Sequence, residues 1–159
     1  MEKEKLFIER KAADNKYLHR DFFVTGDIGI AYVGETYGDE AVKEYLEQYA
    51  KSYYSLLIKE VEKQGLQAIK DYFANVYKKE EWSQYLCMEI TSNMLTVTVE
   101  KCPAVMYMKS IGHTPSKWYK ETVYTVYKTL ANMCGLAFKV EYYDEKDGST
   151  KFIFKRIEK

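Results

Sequence analysis

The apolar pattern predicts an α+β fold: N-terminal helices, then an antiparallel sheet of two hairpins separated by a helix pair. Three observations carry this expectation. Apolar residues recur at helical spacing over 39–78. They alternate with period two over 85–99, and again over 136–157. Between the two alternating stretches lie both prolines of the chain, each placed to open a helix. Strands joined by hairpins make an antiparallel sheet the simplest arrangement, and 159 residues suit a single domain, 1–159, with a real core.

In chain order, residues 1–16 are mostly charged around a Leu6-Phe7-Ile8 cluster, which suits a leading helix or a short docked strand. A helix is expected over 17–33, although Gly26, Gly29 and Gly34 would each cost about 1 kcal/mol in its interior. Gly26, Gly29, Ile30 and Val33 share a face, so something should press close there, either another helix or a ligand. The strongest helix runs over 39–64, with Val42, Leu46, Tyr49, Tyr53, Leu56 and Leu57 on one stripe, and Gly65 stops it. A further helix over 66–78 carries Ile69, Tyr72, Phe73 and Val76.

The first hairpin is expected over 85–91 and 94–101. Leu86, Met88, Ile90, Leu95, Val97 and Val99 face inward and Cys87 faces the other way. Helices follow over 103–111 and 115–134, the second with the stripe Tyr119, Val123, Val126, Leu130 and Met133. The second hairpin, 136–143 and 150–157, turns around residues 144–148, and the two hairpins could pair into one four-stranded sheet. The expected core is Leu46, Tyr49, Tyr53, Leu57, Tyr72, Phe73, Leu95, Val97, Val99, Val123, Val126, Leu130, Phe138, Val140 and Phe152.

Composition excludes several functions. The chain has 24 basic and 24 acidic residues, whereas a sequence-independent nucleic-acid binder needs a basic surface. No apolar run is long enough to span a bilayer, and the charged N-terminus lacks the apolar core of a signal peptide. Three cysteines without a C-x-x-C pair suggest reduced thiols in a cytoplasm. Neither a metal-ligand spacing nor a phosphate or dinucleotide motif is present, so no metal and no cofactor are expected. The expected partner is a small-molecule substrate or ligand, with no nucleic acid and no membrane, and a homo-oligomer is left open. Tyrosine is abundant, at 16 residues. The phenol rings suit packing first, and their hydroxyls then need partners, water or a cavity to line.

Chemistry concentrates in the stretch V-E-K-C-P-A-V-M-Y-M-K-S-I-G-H-T-P-S-K-W-Y-K, residues 99–120. Cys102 falls at an N-cap with Pro103 at the first helical position. The helix dipole and unpaired N–H groups there should lower the thiol pKa and favour a nucleophilic thiolate. Gly112 should end this short helix, and His113 after it could act as general base or bind an anion. Cys102 and His113 bracket the helix, too far apart to touch across it. Glu121, four residues after Lys117, suits either an ordinary i,i+4 pair or an inward general base. Cys102, His113 and Glu121 are thus the catalytic candidates, and His19, Tyr119 and Pro103 the ligand-binding ones.

The patterns Y-L-H-R-D-F from Tyr17, Y-G-D-E-A-V-K-E-Y-L from Tyr37 and V-E-K-C-P-A-V-M-Y-M from Val99 add a resemblance. Together they resemble the L-2-amino-thiazoline-4-carboxylate hydrolase-like family, from about Tyr17 to the C-terminal hairpin, with C-P-A-V the most distinctive portion. The resemblance implies hydrolytic opening of a thiazoline ring on a bacterial route to cysteine, and a small, anionic, sulfur-containing substrate. It carries no catalytic motif that maps residue by residue onto this chain. The order of elements is also similar to the vinyl-reductase-like and haem-NO-binding-like ligand-binding domains, an analogy of fold alone. Two functions are therefore expected: a hydrolase of a small cyclic C–N bond, or alternatively a non-catalytic domain that binds a small ligand among Tyr and Met side chains. A polar cavity with convergent titratable groups beside Cys102 would favour the first, and a large apolar cavity the second. A purely structural interaction domain would show an apolar surface patch instead.

Overall fold

The structure, a computed structural model, describes residues 16–157, with side chains from residue 20 onward. The expected element over 1–16 lies almost wholly outside the described residues. The order is α1 (Lys16–Tyr37), α2 (Asp39–Tyr53), α3 (Ser55–Gln64), α4 (Leu66–Lys79), β1 (Leu86–Ile90), β2 (Met94–Val99), α5 (Pro103–Ser110), α6 (Glu121–Met133), β3 (Leu136–Tyr143) and β4 (Thr150–Arg156). A 3-10 turn, Ser83–Tyr85, leads into β1. The predicted α+β class holds, with helices first and the α5–α6 pair between the hairpins.

The hairpins join into one antiparallel sheet of order β1-β2-β4-β3. Leu95 pairs with Phe154 and Val97 with Phe152 across β2 and β4, while Phe138 and Val140 lie beside the same two phenylalanines from β3. Register thus gathers Leu95, Val97, Phe138, Val140, Phe152 and Phe154 on one face. Helices α4 and α6 cover that face, α2 packs on α6, and α1 packs on α2 and α5. Phe73 of α4 meets Tyr127 of α6 at 5.2 Å and Phe152 at 5.5 Å between ring centroids, which places the aromatic centre of the core.

Two helix boundaries differ from expectation. Residues 39–64 form two helices with a turn at Tyr54, although the Tyr54 N–H still bonds the Ala50 carbonyl. The bend turns the Tyr54 ring inward against Tyr72 at 5.5 Å. The buried line is then Val42, Leu46, Ala50, Tyr54 and Val61. Tyr49 and Tyr53, expected in the core, stack on each other at the surface and are 44% and 56% exposed. Likewise α6 starts at Glu121 and not at Pro115, and Met133 at its end is exposed. Residues 117–120 form a turn because Ser116 and Trp118 bond α1 and α2, as described below, and not a helix of their own.

Candidate functional site

Helix α5 opens as its sequence dictates. Pro103 takes the first helical position after Cys102, whose backbone is extended. The helix closes in a Schellman motif: Gly112, at φ +80°, bonds the Lys109 carbonyl through its N–H, and the His113 N–H bonds the Met108 carbonyl. This motif aims His113 back at α1.

There it meets a residue that periodicity did not single out. Asp27 lies on the inner stripe of α1 with Ile30 and Gly34, and it is 1% exposed. His113 Nε2 lies 2.7 Å from Asp27 Oδ2. The Ser116 N–H donates to both Asp27 oxygens, at 3.1 and 2.9 Å, and the Ser116 hydroxyl donates to Oδ1 at 2.7 Å. A buried carboxylate is tolerated only when paired and hydrogen-bonded in this way. Asp27 therefore ties the α5–α6 loop to α1, helped by Trp118, whose indole N–H donates to Asp39 at 2.7 Å. The Trp118 ring also fills the space a side chain at Gly34 would need, with atoms 2.5 Å from an ideal Cβ there. Close approach to α1 thus falls at Gly34, whereas a Cβ at Gly26 or Gly29 meets nothing within 4 Å among the described residues.

Cys102 sits at the N-cap of α5, but its chemistry runs opposite to expectation. Burial pushes the thiol above its ordinary pKa, and the Ala104 and Val105 N–H groups only partly offset this. The Cys102 sulfur makes no full cap hydrogen bond, whereas its carbonyl accepts the Met106 N–H at 3.0 Å. Desolvation disfavours the thiolate more than the helix terminus favours it. The negative charges of Glu80 and Asp147 act in the same direction as burial. The β3–β4 loop presses on the residue from outside: the Cys102 N–H bonds the Asp147 carbonyl, and the Cys102 Cβ lies 2.5 Å from an ideal Cβ at Gly148.

Four tyrosines interact electrostatically with Cys102: Tyr77 of α4, Tyr119 in the turn before α6, Tyr127 of α6 and Tyr143 at the end of β3. Asp27 acts on Tyr119 and Tyr143 in the same way. Burial raises every one of these phenol pKa values, so they remain protonated at neutral pH. Tyr119, Tyr127, Tyr143 and Cys102 nevertheless keep accessible surface. Among the described residues none of the four hydroxyls has a hydrogen-bond partner, and none is sealed away from water-sized space. Among the described residues no ring contact joins any two of the four.

The sequence candidates are thus partly gathered. Cys102 and Tyr119 interact electrostatically, Pro103 follows Cys102 at the start of α5, and His113 bonds Asp27, which in turn acts on Tyr119. Glu121 accepts from its own helix at Thr125 Oγ1, 2.6 Å, and its charge acts on Lys43 of α2. Lys117 rests over the Trp118 ring at 4.4 Å and not on Glu121. His19 lies on α1, with its side chain outside the described residues. Sequence reasoning missed Asp27, Tyr77, Tyr127 and Tyr143. The one signal for Asp27 was an acid at helical spacing between Phe23 and Ile30. Among the described residues no group of three His, Cys, Asp or Glu side chains is placed to hold a metal. No helix among them is long and apolar enough to cross a membrane. Comparison of the chain with protein-family models, with curated proteins and with solved structures finds no match.

Proposed function

We propose that this chain binds a small molecule in a chamber walled by Tyr77, Tyr119, Tyr127, Tyr143 and Cys102. The observation that supports the reading is that four mostly desolvated tyrosines interact electrostatically with Cys102, and their hydroxyls have no partner among the described residues while staying open to water-sized space. Hydroxyls left open in this way can bond water or a ligand. The protonated thiol and phenols supply donors and acceptors without a reactive thiolate, which favours binding over nucleophilic attack by Cys102. The test is solvent extraction of the freshly purified protein followed by mass spectrometry, beside the Tyr119→Phe/Tyr127→Phe double variant. A molecule retained by the native chain and lost by the variant is expected. Equal retention by both would contradict the reading.

A second reading, hydrolysis of a small cyclic C–N bond as in the thiazoline hydrolase-like proteins, is favoured by the Asp27–His113 pair. A carboxylate on Nε2 fixes the ring and leaves Nδ1 as the base. Water would lose a proton to Nδ1 while adding to the ring carbon, and the imidazolium would return that proton to the departing nitrogen. Ser116 is not the nucleophile, because its hydroxyl is committed to Asp27. The check is product formation from 2-amino-thiazoline-4-carboxylate, with His113→Gln as the control: turnover lost in that variant supports the reading, and no turnover by the native chain removes it.

A further inference from the structure

We propose that the cleft between the α3–α4 turn, the α6–β3 turn and the end of β4 binds a free α-amino acid with an apolar side chain, its carboxylate on Arg156 and its ammonium on Glu62. The cleft has a volume of about 480 Å³, and Glu62, Gly65, Leu66, Leu136 and Arg156 are among the residues that line it. It is independent of the binding reading above. Neither Cys102 nor any of the four tyrosines lines it, and Leu136 and Arg156 pair at the opposite end of the β3–β4 hairpin from Tyr143 and Thr150. Gly65, at φ +62°, makes room for the guanidinium: Arg156 Nη2 lies 2.9 Å from where a Cβ would stand. Neither the Arg156 nor the Glu62 side chain has a hydrogen bond or ion pair among the described residues, so their charged atoms are more than 4.0 Å apart although they line one cleft. The third charge of the cleft, Lys63, is paired with Glu60. An anion alone would meet the free carboxylate of Glu62, and a cation alone the free guanidinium. A molecule that carries both charges answers both: the carboxylate matches the planar fork of arginine, and an ammonium donates to a carboxylate. Val61, Leu66 and Leu136 are buried and give the cleft an apolar floor for the side chain.

The experiment titrates L-leucine into the full chain at pH 7, beside isocaproate, which lacks the ammonium, and isopentylammonium, which lacks the carboxylate. Backbone amide shifts are followed by heteronuclear NMR. Saturable shifts at Gly65, Leu66 and Gly135 are expected with leucine, with binding at least about tenfold tighter than that of either comparator. Arg156→Gln and Glu62→Gln should each weaken leucine binding at least about tenfold. Both side chains are exposed and unpaired among the described residues, so both variants should keep the native melting temperature. Equal or tighter binding of isocaproate or isopentylammonium overturns the zwitterion class. Leucine binding unchanged in either variant overturns the assignment of the two charges. Absence of saturable shifts at these amides overturns the site itself.

Discussion

Cys102 shows two opposed effects on one atom. A helix N-terminus stabilises a thiolate through N–H groups and dipole, and burial destabilises it by removing water. Here burial is the larger effect, and nearby carboxylates add to it. Cys134 is also held high, at about 11, by burial and by Glu62. Cys87 is exposed on the outer face of β1. Alkylation of the native protein at pH 8, read by mass spectrometry, should therefore modify Cys87 first, with Cys102 and Cys134 lagging. Fast modification of Cys102 would contradict the buried, protonated thiol. Asp27 makes the second residue-scale prediction. Asp27→Ala removes the acceptor of the His113 ring and of the Ser116 N–H and hydroxyl, and hydrogen bonds to a charged group contribute about 1.5–3 kcal/mol. A loss of roughly 2–4 kcal/mol in denaturant unfolding is expected. The cap position of Cys102 was legible from the Cys-Pro pair, but the sign of its pKa shift was not. It depends on the loop around Gly148, more than forty residues away in the chain.

Helices and their joints carry the next set of expectations. The α2 stripe misread Tyr49 and Tyr53 as core because they are large. The buried line instead runs through Ala50, a small residue with a weak hydrophobic signal, and ends in the bend at Tyr54. The inward face of β1 and β2 was legible, because a one-residue slip would expose every apolar residue of β2, but the register shift between Val140 and Tyr142 in β3 was not. The start of α6 was not legible. Pro115 is a valid helix opener, and only tertiary bonds from Ser116 and Trp118 keep residues 117–120 out of a helix. The glycines give a comparison within one helix. Gly26→Ala and Gly29→Ala meet no neighbour among the described residues and should stabilise by about 0.5–1 kcal/mol. Gly34→Ala drives a methyl into the Trp118 ring and should destabilise. Thermal melts of the three variants check this, and a stabilising Gly34→Ala would show that the Trp118 contact is absent.

The whole molecule is built around tyrosine. Tyr54, Tyr77, Tyr119 and Tyr127 all have pKa values raised well above the ordinary, chiefly by burial. Their unfolded counterparts ionise near about 10. Stability is therefore fully present below that pH and is lost as pH rises toward the folded values, because the unfolded chain releases those protons first. The loss is about 1.4 kcal/mol per pH unit for each phenol that stays protonated in the fold. Urea midpoints should accordingly fall steeply between pH 10 and about 11.5, with phenolate absorbance from these residues appearing only on unfolding. At the centre of the core, Leu130→Ala should cost about 2–5 kcal/mol, as expected for a closed apolar site.

The chamber itself is tested most directly by a crystal structure at a resolution that shows ordered water and small ligands. Density bonded to the hydroxyls of Tyr77, Tyr119, Tyr127 and Tyr143, in a space bordered by the Cys102 sulfur, is the predicted result. Those hydroxyls bonded to protein groups, with side chains filling the space between them, would contradict it.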